Sequence, residues 1–144
     1  MASLLEEKDA IREVLSEYCF ALDGGHFAAM AALFTEDGTW STAFGAATGR
    51  PAIEVLVRKL HSRRPAGPAH RGVHLVSNLV IKLDGYSARV LSNWVVAQNS
   101  PSGPIVSAAG GYEDHLVKTG DTWLFKSRTI DRFIAADLHP APLT

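Results

Sequence analysis

Val73-His74-Leu75-Val76-Ser77-Asn78-Leu79-Val80-Ile81-Lys82-Leu83, followed by Asp84-Gly85, is the stretch that decides the fold. The run is β-rich, and Asp84-Gly85 is a strong hairpin signal. Tyr86 to Asn99 then reads as the returning strand. Ser100-Pro101-Ser102-Gly103-Pro104 makes the next turn. Ile105 to Lys118 is a further strand, with Gly110-Gly111 marking a bulge or sharp bend. Thr119-Gly120-Asp121 turns the chain into a last strand, Thr122 to Ile134. The tail, Ala135 to Thr144, carries two prolines and little pattern.

Upstream of this block the period changes. Gly49-Arg50-Pro51 opens a helix with Pro51 near its first turn, and Ile53, Leu56, Val57 and Leu60 form its buried face. The proline-, glycine- and base-rich segment from His61 to His70 reads as a loop. Phe27 to Phe34 is a short helix, Thr35-Glu36-Asp37-Gly38 a turn, and Thr39 to Phe44 a first strand. At the front, Ser3 and Glu6 form a capping box. Leu4, Ile11, Val14, Leu15, Tyr18, Cys19 and Leu22 follow as one amphipathic stripe, which Gly24-Gly25 ends. Helices come first and long strands follow. That order predicts an α+β fold, a curved antiparallel sheet wrapped over three helices in the N-terminal half.

The chain has 144 residues, the size of one domain spanning 1–144. Hydrophobic residues make up 47% and charged residues 20%, a balance that supports a real core. Net charge is −1, from 14 basic and 15 acidic residues, so there is no electrostatic footprint for nucleic acid or an anionic membrane. No segment approaches the roughly 18–20 apolar residues of a membrane span. The start, Met1 to Lys8, is acidic where a signal peptide is basic and then apolar, so a cytoplasmic address is expected. Cys19 is the single cysteine and cannot form an internal disulfide; its place in the apolar stripe makes it a buried small hydrophobe.

Most catalytic signatures are absent: no P-loop, no dinucleotide glycine fingerprint, no nucleophile elbow. The six histidines, His26, His61, His70, His74, His115 and His139, form no helical metal pair, and no metal or other cofactor is expected. Two residues stand out. Asp23 ends the apolar stripe of the first helix, where burial and the helix dipole both disfavour its charge unless a cation is near. His74 lies in the β-rich run and, on a period of two, shares a face with Val76, Asn78 and Val80. Polar groups on such a face need buried partners. A capping Asp and a satisfied core histidine are the structural alternatives.

The order of elements, Ala21-Leu22-Asp23 closing the first helix, Phe34-Thr35-Glu36-Asp37-Gly38-Thr39-Trp40, His74-Leu75-Val76-Ser77-Asn78, and Gly111-Tyr112-Glu113-Asp114-His115 with Trp123 and Arg128 resemble the NTF2-like superfamily. Over roughly Leu4 to Phe133 the chain is similar to its SnoaL-like branch, which includes scytalone dehydratase and hexachlorocyclohexane dehydrochlorinase. The resemblance implies a cone, a bent sheet closed by three helices, lined at its wide end by Phe20, Trp40, Phe44, Val76 and Trp94. It implies that His74 takes a proton while Asp23 orients and charges it, as an Asp on one ring nitrogen can. Scytalone dehydratase uses a second histidine where an approximate alignment puts Ala109, so any second acid must come from elsewhere; Tyr18, Tyr112 and Asn78 are candidates. Arg128 either reaches a substrate oxygen or leaving group, or pairs with Asp114. The expected substrate-binding set is Tyr18, Phe20, Trp40, Asn78, Trp94, Tyr112 and Arg128, with His26, His70 and His115 at the surface.

The implied activity is a cofactor-independent lyase, a dehydratase or dehydrohalogenase acting on a small apolar or aromatic molecule. A polyketide cyclase or double-bond isomerase using the same dyad is the alternative within enzymes. A ligand-binding or assembly module, like the β subunits of ring-hydroxylating dioxygenases, is the alternative outside them. Self-association as a homodimer or homotrimer is expected, since an open apolar sheet face needs cover.

Overall fold

A computed structural model describes residues 2–64, 67 and 71–136. The elements run α1 (Leu4–Asp23), α2 (Phe27–Ala32), β1 (Phe34–Thr42), β2 (Gly45–Thr48), α3 (Arg50–His61), β3 (Gly72–Asp84), β4 (Ser87–Ser100), β5 (Gly103–Thr119) and β6 (Thr122–Ala135). The six strands form one curved, unclosed sheet in the order β2-β1-β6-β5-β4-β3. The three helices all precede the long strands, giving the α+β cone that the resemblance implied.

Local chemistry explains the first helix. The Ser3 hydroxyl accepts the Glu6 N–H at 3.2 Å, and the Glu6 carboxylate accepts the Ser3 N–H at 2.6 Å. Two orphan donors at the helix start are thereby satisfied. At the other end Gly24 caps the helix and Gly25 takes φ +74°, so the chain turns sharply just after Asp23. The buried stripe of Ile11, Leu15 and Tyr18 packs α1 against β3 and β6.

Several expected boundaries move. Helix α2 ends at Ala32 and Phe34 enters β1, because the Leu33 carbonyl accepts the Phe125 N–H at 2.8 Å and draws the chain onto β6. The expected turn Thr35–Gly38 is therefore part of β1, at a break in its register with β6 between Phe34 and Thr39. The expected strand from 39 to 44 stops at Thr42, and a further short strand, β2, folds back on it. The sheet also departs from the antiparallel expectation at one seam: β1 and β6 pair in parallel, while the other neighbours are antiparallel. The β3–β4 hairpin turns at Asp84–Ser87 as predicted, and the glycine pair breaks the β5–β6 register between Ala109 and Gly110. Helix α3 extends through His61, so the expected loop begins later; most of it, with the tail from 137 onward, lies outside the described residues.

One further shift bears on the site. The β3–β4 register slips between Ser77 and Val80, and Asn78 sits in the left-handed region at φ +55°. Asparagine tolerates that geometry better than most residues. The inserted residue reverses the alternation: His74 and Val76 face inward before it, and Leu79, Ile81 and Leu83 after it. No helix among the described residues is long and apolar enough to cross a membrane.

Candidate active site

Asp23 is the last residue of α1, and the glycine turn behind it leaves its carboxylate aimed at β3. One oxygen accepts the backbone N–H of His74 at 2.8 Å, and the other meets His74 Nδ1 at 2.5 Å. The backbone bond fixes where the strand passes, and the ring bond fixes how the imidazole lies. A proton on Nδ1 is donated to the carboxylate, so the neutral ring keeps its lone pair on Nε2. The two side chains are 8% and 15% exposed, so the contact is largely dry.

His74 is on the wall of a cavity of about 540 Å³. Tyr18, Trp40, Trp94 and Tyr112 are on the same wall. The Trp94 ring lies 6.4 Å from the imidazole and 6.0 Å from the Tyr112 ring. The Trp94 N–H is held by the carbonyls of Gly111 and Asp131, both at 3.2 Å, so the bulge at Gly110 sets the indole. The Tyr18 hydroxyl accepts the Trp40 N–H at 2.9 Å, leaving its own proton to donate. Burial pushes the Tyr18 phenol up to about 12 and holds the Tyr112 phenol well above its ordinary value, so both remain protonated donors near neutrality.

Three expected members are elsewhere. Phe20 is 80% exposed: it follows Cys19 by one residue and falls on the opposite side of α1 from the buried stripe. Asn78 is turned outward by the bulge and donates to Asn93 at 3.1 Å on the outer face of the sheet. Arg128 is fully buried and forms a bidentate pair with Asp114, both bonds at 2.8 Å, beneath the cavity floor. Its guanidinium lies 3.7 Å from the Tyr112 ring centre, 4.2 Å from that of Tyr18 and 4.5 Å from that of Phe125. The pairing with Asp114 is thus what the geometry shows, and Arg128 supports the two tyrosines from behind. Of the remaining expected lining residues, Phe44 stands at the mouth, while Val76 is a half-buried inward residue packed on the core.

Cys19 is buried, and that burial pushes its thiol up to about 11, which suits a small hydrophobe. His26 is exposed as expected, whereas His115 is half-buried and shares a 2.9 Å hydrogen bond with Ser87, a contact set by the β4–β5 pairing. His70 lies outside the described residues. The structure adds residues that the sequence reading passed over. His61, the last residue of α3, lines the cavity, and burial followed by the Arg64 charge holds its imidazole below the ordinary value. The signal was present, since His61 follows buried Val57 by four residues. Arg63, Arg64 and Arg132 line the same cavity. Among the described residues no group of three or more His, Cys, Asp or Glu side chains is arranged to hold a metal ion.

The sequence profile of the SnoaL-like domain matches residues 3–129. No curated protein matches the chain. Among solved structures, a variant of Rv3472 from Mycobacterium tuberculosis, a protein of unknown function, superposes with a TM-score of 0.78 at 28% identity, over 88% of this chain and 72% of that one. A protein from Novosphingobium aromaticivorans, provisionally described as a scytalone dehydratase, gives 0.78 at 27% identity over 95% and 91% of the two chains. The β subunit of a provisionally described aromatic-ring-hydroxylating dioxygenase from the same species gives 0.75 at 22% identity over 89% and 90%, which speaks to the fold alone.

Proposed function

The chain belongs to the SnoaL-like domain family, and on that footing we propose that it is a cofactor-independent lyase in which the Asp23–His74 pair is the general base. The observation that carries the reading is the 2.5 Å contact between Asp23 and His74 Nδ1 behind an imidazole that lines an open cavity. A purely structural pair would be sealed under other side chains.

A small, largely apolar or aromatic substrate lies along Trp94 and Tyr112. His74 Nε2 takes a proton from a carbon next to an activating group, and the Asp23 carboxylate stabilises the imidazolium that forms. The bond to the leaving group on the adjacent carbon then breaks: halide departs as the anion, or a hydroxyl departs as water by taking the proton back from the His74 imidazolium. The Tyr18 hydroxyl, its oxygen already bonded to Trp40, is placed to donate to the oxygen on which charge develops. A positioned base contributes about 10²–10⁴-fold, and orientation within the cavity supplies more.

The test uses a panel of β-hydroxy and β-halo aryl ketones in D₂O, followed by NMR for exchange at the α-carbon and for the elimination product. His74→Ala and Asp23→Asn should each reduce both signals by about 10²-fold or more. Turnover that survives both substitutions would refute the mechanism. A product of unchanged mass would instead assign isomerisation or cyclisation to the same base. The reading extends to self-association. Val73, Leu75, Leu91 and Val106 are exposed on β3–β5, an apolar surface that a second copy would cover.

A further inference from the structure

We infer that the cavity takes an anion: an aromatic or apolar acid whose carboxylate sits at the mouth among Arg63, Arg64 and Arg132 while its body reaches in toward His74. The inference rests on the reading of this cavity as the substrate site and adds the class of substrate.

Charge segregation carries it. The chain as a whole has 15 acidic and 14 basic residues. Among the described residues the cavity wall nevertheless contains three arginines and no Asp or Glu. The Asp23 carboxylate sits behind His74 and is committed to it through both oxygens. Among the described residues Arg63, Arg64 and Arg132 form no ion pair.

The three arginines come from different parts of the chain. Arg63 and Arg64 follow the end of α3, and Arg132 lies on β6. Arg132 stands 5.5 Å from the centre of the exposed Phe44 ring, which gives its long side chain a support at the rim. His61 lies on the same wall, where burial and then the Arg64 charge disfavour its protonation. As a neutral ring it can donate one hydrogen bond to a carboxylate without adding charge. Guanidinium groups suit this task because their planar forks match a carboxylate. Deeper in, the wall turns to Trp40, Trp94 and Tyr112, which suit an aromatic body. The mouth therefore holds the acid end and leaves the reacting carbon to the dyad.

Two probes of nearly equal shape decide the matter: 2-naphthoate and 2-naphthamide, titrated into the protein by calorimetry, with quenching of tryptophan fluorescence as a second readout. Wild-type protein should bind the carboxylate about tenfold or more tightly than the amide, and the gap should narrow as salt is raised. Replacing all three arginines by Ala should bring the two affinities together, while replacing all three by Lys should keep much of the preference. These side chains are exposed, so the variants should fold, which circular dichroism checks. His74→Ala should retain the preference, because that residue serves the chemistry and not the mouth. Equal affinities in the wild type, no binding of the naphthoate, or a preference that survives the loss of all three arginines overturns the inference. Loss of the lyase reading shows separately, in the exchange experiment.

Discussion

Asp114→Asn is the substitution that best separates a structural Arg128 from a substrate-binding one. Arg128 and Asp114 have fully buried side chains joined by two bonds of 2.8 Å. Asparagine keeps the shape but removes the charge, and its NH₂ group presents a donor to a donor of the guanidinium. The Arg128 Nη1 nitrogen already has no hydrogen-bond partner among the described residues, so little is left to compensate the cation. Removing one member of a buried pair costs about 3–5 kcal/mol. Against a total of about 5–15 kcal/mol for a domain, that is a large fraction. With a urea slope of about 2 kcal/mol/M, the unfolding midpoint should fall by about 1.5–2.5 M. The converse experiment removes both charges. Arg128→Met together with Asp114→Leu places a thioether among Tyr18, Tyr112 and Phe125, and should recover to within about 1 kcal/mol of the wild type. Urea melts followed by circular dichroism and by fluorescence measure both variants. A loss under about 1 kcal/mol in Asp114→Asn, or a double variant no better than the single one, would refute the argument from buried charge.

Two further stability predictions rest on other contacts. A Cβ at Gly110 would lie 1.9 Å from the Asp131 carbonyl oxygen and 2.9 Å from Trp94 Cζ2. Gly110→Ala should therefore cost about 1–3 kcal/mol or more and shift Trp94 emission; an unchanged melt and spectrum would show that the bulge yields without cost. The Glu7 carboxylate accepts from Lys118 at 2.5 Å and from Trp123 at 2.6 Å, and these bonds, Lys118's first, hold its pKa below the ordinary carboxylate value. A lowered folded pKa gives stability that is present above the unfolded value and lost as pH falls through the folded one. The stability difference between wild type and Glu7→Gln should thus be constant near neutrality and collapse below about pH 4; a difference that persists into acid would mean that ionisation of Glu7 does not contribute.

The elements that could be read from the chain are those whose signals are local. A capping box and a glycine pair bracket α1 within its own residues, and Asp84-Gly85 sits at the tip of a hairpin whose strands are adjacent in sequence. β1 is different. Its extension back to Phe34 depends on β6, a strand from the other end of the chain, which binds it in parallel through Phe125 and Ser127. Nothing near Phe34 announces that partner, so the segment looks like the end of a helix and a turn. β2 is Gly45-Ala46-Ala47-Thr48, too small and too exposed to carry any alternation of its own.

The site divides on the same principle, one level higher. Asp23 and His74 each break an otherwise apolar pattern, but their pairing is what the family resemblance implies, and the structure puts the two side chains in contact. Where the pattern itself slips, inference fails: one inserted residue after Ser77 sends Asn78 outward, although His74 and Val76 just before it keep the expected face. Arg128 stays open in the sequence for another reason. A strand position says which side of the sheet a cation takes, but whether it meets a ligand or a carboxylate depends on the strand beside it, and here Asp114 is its register partner across β5 and β6. Cross-strand partners of opposite charge are also stabilising in themselves, so a buried cation opposite an acid is better assigned first to that acid. The cationic mouth is the reverse case. Arg63, Arg64 and Arg132 line one cavity only because the fold brings the end of α3 and β6 to it, and the even charge balance of the whole chain conceals a local excess that only the fold assembles.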